Sequence, residues 1–414
     1  MNRFFHALAL IGALATCLLI TTESRAADSL DVRPGMNAET FSGLEWRGIG
    51  PALMSGRIAD IAVDPDRRST WYVAVGSGGV WKTDNRGTTW TSVFDGQGSY
   101  SIGCVTIDPN DSDVIWVGTG ENVRGRHVGY GDGVYRSLDA GMTWTNMGLQ
   151  ESEHIGMIRV DPRDSSVVYV AAQGPLWSGG GERGLYKTTD GGTTWQRILG
   201  GGDYTGVNEV HFDPRDPDVI YAIRHQRFRN VPALINGGPE SGIFKSIDAG
   251  QTWTELTTGL PEEDMGKIGL AISPLDPDVV FATIELGART GGFWRSTDAG
   301  ASWEKRSDYL SGGTGPHDYQ ELFASPHHLD RVYQMDAMLH ITEDGGKTFV
   351  QQPMGHRHSD HHAMAFDPND PDYVMYGTDG GLYESFDDGK TFRFIANLPV
   401  TQFYKIAVDY DEPF

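Results

Sequence analysis

The chain has 414 residues, with 33 Lys and Arg against 56 Asp and Glu and a formal charge of −23. A surface this acidic disfavours nucleic acid and anionic membranes as partners. Its two cysteines, Cys17 and Cys104, allow no intramolecular disulfide once the first is lost with a leader, so stability must come from packing.

In chain order, the first element reads as an export signal. Arg3 supplies a short basic region, an apolar run extends from Ala7 to Ile20, and the small residues Ser24, Ala26 and Ala27 suit cleavage. Residues 1–27 are expected to be a signal peptide and 28–43 a lead-in. No later run is apolar for long enough to span a membrane. The expected location is secreted or periplasmic.

From residue 44 to 401 one unit repeats. Its clearest string has Ser or Thr, then Asp two residues on, Gly two further, and an aromatic three after that. It appears as SLDAGMTW (137–144), TTDGGTTW (188–195), SIDAGQTW (246–253), STDAGASW (296–303), TEDGGKTF (342–349) and SFDDGKTF (385–392); the first copy, TDNRGTTW (83–90), carries Asn85 in place of Asp. Asp or Asn can accept hydrogen bonds from its own turn, Gly supplies positive φ, and the aromatic can pack between sheets. These aspartates are therefore expected to hold turns and not to catalyse. A second string precedes each copy: an apolar run, Asp-Pro, a polar turn and another apolar run, as in VDPRDSSVVYVA from Val160, with weaker copies at Ser273 and Ser325. The glycines of the first string recur every 43 to 58 residues, room for four short strands. That period predicts an all-β fold, a β-propeller of four-stranded antiparallel blades with seven complete repeats. Residues 402–414 would begin an eighth, with Phe403–Val408 as its inner strand, as in a fragment of a longer chain; alternatively that strand pairs near Glu45–Ile49 to close the ring.

The repeated string resembles the Asp-box, or BNR, repeat of sialidases and sortilin-like propellers. GTGENVRGRHVGYGDGVYRS, GGPESGIFKS and DHHAMAFDPNDP followed by GTDGGLYESFDDGKTF are similar to secreted bacterial sortilin-like (VPS10-related) propellers often described as BNR-repeat glycosyl hydrolases. Xyloglucanase-type relatives would carry a catalytic Asp in a first-blade string that corresponds here to YVAVGSGGVWKT (72–83), where Gly76 stands at the Asp position. Their second catalytic Asp belongs to a second propeller. The resemblance thus implies the fold strongly and hydrolysis weakly, since inversion needs two carboxyl groups across the bond.

Topology sorts the unusual residues. In a four-stranded meander the Asp-Pro turn and the repeated string emerge on one face, and the longer loops and blade-to-blade links on the other, where binding groups are commonly grafted. The second-blade loop offers Glu121, Asn122, Arg124, Arg126 and His127; the fourth-blade loop, expected over 224–242, offers Arg224, His225, Arg227 and Arg229; the seventh offers Asp379. The densest histidine stretch, GHRHSDHHAMAFDP (355–368), leads into the inner strand of the seventh blade with Asp360, His361 and His362. It lacks the helix-borne HExxH pattern, and neighbouring strand residues point opposite ways. No metal and no cofactor is expected; one histidine should face the channel near Asp360 and Asp379 while the other packs between blades. The expected ligand set is Glu121, Asn122, Arg124, Arg126, His127, Arg224, His225, Arg227, Asp360, His361, His362 and Asp379, with Asp360, Asp379 and Glu121 as the carboxylates for any catalysis. The leading expectation is an exported propeller that binds a polysaccharide or peptide; the alternatives are a glycoside hydrolase and a scaffold in an envelope assembly.

Overall fold

A computed structural model describes residues 56–401, except 124, 126, 127, 288, 289 and 311–320. The expected signal peptide, the lead-in and the strand Phe403–Val408 lie outside these residues, as does Glu45–Ile49. Within them the chain forms seven antiparallel sheets, each a meander of four strands in chain order, with one short extra strand in the fourth. This is the seven-bladed all-β propeller that the repeat predicts. The innermost strands are Ile58–Val63, Ile102–Asp108, Ile155–Asp161, Thr205–Asp213, Ile268–Ile272, Leu322–Ala324 and His361–Asp367. The first of them packs against both the second and the last, and one apolar cluster joins Ile58, Val73 and Val75 of blade 1 to Ala363, Met375 and Leu382 of blade 7. Similar clusters fill the other seams, each buried aliphatic or aromatic side chain contributing about 1.5–3 kcal/mol.

The repeated turn explains its own sequence. In blade 4, Ser246 Oγ donates to Asp248 Oδ1 at 2.7 Å and accepts from the Gly250 N–H at 2.8 Å, while Asp248 accepts from both the N–H and the hydroxyl of Thr252. The turn needs positive φ at Ala249 (56°) and Gly250 (85°), so glycine at the second position removes strain. In the first copy Asn85 Oδ1 takes the same place, accepting from Thr83 Oγ1 and the Thr89 N–H. The aromatic reaches the preceding blade: Trp144 Nε1 donates to the Val93 carbonyl at 2.6 Å and Trp195 Nε1 to the Met147 carbonyl at 2.7 Å.

The Asp-Pro turns work the same way. Asp213 accepts from the Arg215 N–H, and the Arg215 side chain continues to Asp278 of blade 5 at 2.8 Å; Arg163 joins Asp161 to Asp218 of blade 4 likewise. Ser273 and Ser325 serve in the weaker copies, their hydroxyls accepting from the Leu275 and His327 N–H groups. Within a blade the two turns are hydrogen-bonded, Ala249 N–H to the Asp218 carbonyl for example, so both lie on one face as the topology requires. The fourth blade differs from expectation. Residues 224–229 are not loop: the second strand runs from Asp216 to Arg229 and pairs beyond the blade with Leu234–Asn236.

Candidate functional site at the seam of blades 1 and 7

Arg57 immediately precedes the innermost strand of blade 1 and is buried. Its Nη1 donates to Glu121 Oε1 of blade 2 at 3.1 Å, and its Nε and Nη2 donate to the two oxygens of Asp379 of blade 7 at 2.7 and 3.2 Å. One guanidinium thereby ties three blades. Glu121 Oε2 accepts from the Gly129 N–H at 3.0 Å, so its loop is folded back onto its own carboxylate. Asp379 Oδ1 also meets His362 Nε2 at 2.8 Å. Burial pushes the Asp379 carboxyl up, but the hydrogen bonds from His362 and Arg57 outweigh it and hold the group well below the ordinary range.

The two histidines turn to different surroundings. His362 lies with Arg57, Glu121, Asn122, Val123 and Glu321 around a small space of about 30 Å³. His361 is fully buried between blades, its backbone N–H and its Nδ1 both on the Asp336 carbonyl of blade 6 and its ring edge-on to Tyr376. Burial and Arg357 pull its pKa down to about 3, so it is neutral and structural. Asp360 sits at φ 64°, accepts from Ser359 Oγ and offers its backbone carbonyl to the Asp379 N–H.

Asn122 accepts from Gln173 of blade 3, next to Glu121. Arg124, Arg126 and His127 fall outside the described residues. The fourth-blade candidates have other hydrogen-bond partners: Arg224 donates to the Glu240 and Gly200 carbonyls, His225 pairs with Asn236, and buried Arg227 donates to the Gly174 carbonyl and acts electrostatically on Glu153. Arg224, His225 and Arg227 form part of the extended hairpin of blade 4.

Three participants escaped the sequence reading. Arg57 is one, although it holds the same place before an innermost strand as Ser101, His154 and Asp360, a register that aligning the repeats would have exposed. Trp81 is another: with Arg57, Glu121, Ser77, Gly78 and Val400 it borders a cavity of about 220 Å³. The third is Glu153, beside the same loops, whose carboxyl is pushed up by burial. Gly76 is explained by the site. A Cβ there would lie 2.5 Å from Glu121 Oε1 and 3.2 Å from Arg57 Cδ, so the space for a side chain at position 76 is taken by the Glu121 carboxylate.

Comparison with known proteins adds three findings. The family model Sortilin-Vps10, described as sortilin, neurotensin receptor 3, matches residues 132–262 and 291–408. A xyloglucanase of Hypocrea jecorina is 23% identical over 295 residues, covering 63% of this chain and 33% of that protein; the chain thus spans about a third of that relative's length. Among solved structures, the GH74 xyloglucanase of Xanthomonas campestris superposes with a TM-score of 0.61 at 18% identity, over 83% of this chain and 55% of that one; YCF48 bound to D1 peptide gives 0.52 at 15% identity, over 81% and 94%. At such identities the superpositions establish the fold.

Proposed function

The chain belongs to the Sortilin-Vps10 family, and from that premise we propose that it is an exported β-propeller whose loop-rich face binds a polysaccharide or peptide at the seam of blades 1 and 7. We read its repeated turn as the Asp box. The observation that carries this reading is the state of two of the three candidate carboxylates. Glu121 and Asp379 each have both oxygens engaged, largely by Arg57, beside a cavity walled by Trp81. Such a site is already ordered for recognition: an aromatic flank for the apolar side of a ligand and fixed charges for its polar groups. A polysaccharide is the first choice, since a relative is named a xyloglucanase; the YCF48 complex supports a peptide as the second.

The hydrolase reading draws support from the same named relatives, and here Glu121 would have to serve where position 76 lacks a carboxylate. Two features weigh against it. Inverting hydrolysis needs a general acid with a raised pKa, and Asp379 is shifted the other way. Glu121 has both oxygens committed, one to Arg57 and one to the Gly129 N–H, so catalysis would first have to break one of these bonds. Affinity electrophoresis in xyloglucan and other neutral glycans, run beside a reducing-sugar assay, separates the readings. Retention without turnover, lost in Trp81→Ala, supports the binder; sugar release abolished by Glu121→Gln would replace it with the hydrolase. Failure to retain any glycan, with a protein co-purifying from the envelope, would favour the scaffold.

A further inference from the structure

We propose that the cavity further along the channel toward the Asp-Pro turns, which shares only Glu321 with the small space beside the Arg57 cluster, is a second binding site that takes a single neutral pyranose-sized polyol, either a free sugar or the end of a glycan chain. The inference is independent of the reading of the loop-rich face. Where the innermost strands run toward their Asp-Pro turns, a cavity of about 230 Å³ opens in the channel, bordered on one side by Arg159, Glu209 and His211 of blades 3 and 4. The other side is mainly apolar, with Ile272, Phe323 and Phe366 of blades 5 to 7, and carries one carboxylate, Glu321, which pairs with Lys267. That volume is below the roughly 300–1,000 Å³ of ordinary ligand pockets, which points to one small ring.

Two polar groups in this cavity are incompletely used. Glu209 is 4% exposed; its Oε2 accepts from the Leu270 N–H at 3.0 Å and lies 3.1 Å from His211 Nε2, but buried Oε1 has no partner among the described residues. Arg159 makes one long hydrogen bond, from Nη1 to the Ile158 carbonyl at 3.3 Å, and no ion pair is formed with it among the described residues, although Asp60 and Glu209 both act on it electrostatically. A buried acceptor without a donor is costly, and a guanidinium can donate through five N–H groups. A ligand that suits both must donate to Glu209 and accept from Arg159, which a pair of hydroxyls does. Its charge follows from the surroundings. Two carboxylates, Glu209 and Glu321, already line the cavity with the one guanidinium, so an anionic ligand would be repelled while a neutral polyol would not. The C–H face of a pyranose would then rest on the apolar wall.

Saturation-transfer NMR tests the proposal with glucose, galactose, mannose and xylose, with cellohexaose to distinguish a chain end from a free sugar, and with glucuronate and acetate as anionic probes. At least one neutral sugar, free or in the hexasaccharide, is expected to bind, and Glu209→Gln to weaken it at least tenfold. Ala324→Leu, which narrows the cavity and leaves the polar groups in place, should do the same and guards against a folding defect at Glu209. The proposal is overturned if no neutral sugar binds, if binding survives either variant in folded protein, or if the anions bind in preference.

Discussion

At the scale of single residues, the repeated turn sets a pH dependence whose sign can be worked out. Hydrogen bonds from Thr252, with one from Ser246, bring Asp248 down to about 2 from 3.8, and Asp190 is lowered to about 2 by Thr188 and Thr194. A carboxylate with a folded pKa below its unfolded value stabilises the fold fully above the unfolded value, near pH 4, and the contribution disappears as pH falls through about 2. Asn85 is the internal control: its Oδ1 accepts the equivalent bonds from Thr83 and Thr89 without a charge, while its Nδ2 donates to Thr89 Oγ1 where Asp248 accepts from Thr252. Asp248→Asn should therefore leave the melting temperature at pH 7 nearly unchanged and lose less of it by pH 2.5 than the parent. Asp248→Ala should melt lower at both pH values. At the seam, Arg57→Ala would leave the buried Glu121 and the partly buried Asp379 without their shared counter-ion, Asp379 keeping only His362, for a loss of about 3 kcal/mol in denaturant titration. Gly76→Ala should cost about 1–3 kcal/mol, because its methyl meets the Glu121 carboxylate.

At the scale of elements, each blade is held to the next by a directed contact as well as by apolar packing. Trp144→Phe keeps the ring between blades and removes only its hydrogen bond to the Val93 carbonyl, so a loss of about 1 kcal/mol is expected. Arg163→Ala breaks the exposed pair with Asp218 and leaves the buried Asp161 carboxylate without its side-chain partner, so a loss of about 1–3 kcal/mol is expected, the Asp218 part of it shrinking in high salt. The extended hairpin of blade 4 shows why element boundaries can be lost in a sequence. Along Arg224–Arg229 burial alternates as a strand requires, but the buried positions are His225, Arg227 and Arg229. Polarity is inverted there, so the usual alternation of apolar and polar residues gives no strand signal, and glycines and prolines further on suggest a loop. The paired histidines were legible for the opposite reason. A strand entered at His361 must send neighbouring side chains to opposite sides, which is what separates His361 from His362.

At the scale of the whole molecule, the net charge of −23 is spread over a ring whose exposed turns carry many of the aspartates. Mutual repulsion is screened by salt. The melting temperature at pH 7 should therefore rise between about 10 mM and 150 mM salt; a fall would mean that the inter-blade bridges outweigh the repulsion.

The amino-acid sequence by itself determined the architecture, the number of blades and the face on which each turn emerges. Those follow from local chemistry repeated seven times: a hydroxyl, a carboxylate or amide, and a glycine within five residues form the turn wherever they occur. It also placed Glu121, Asp379 and His362 on a common face. Only the tertiary structure decided that these three meet around Arg57, that the Glu121 carboxylate fills the space beside Gly76, and that Arg159 and Glu209 share a cavity further along the channel. Arg57 and Asp379 are 322 positions apart, and closing the ring brings them together. No local pattern encodes that distance, because it depends on the angle between every pair of successive blades.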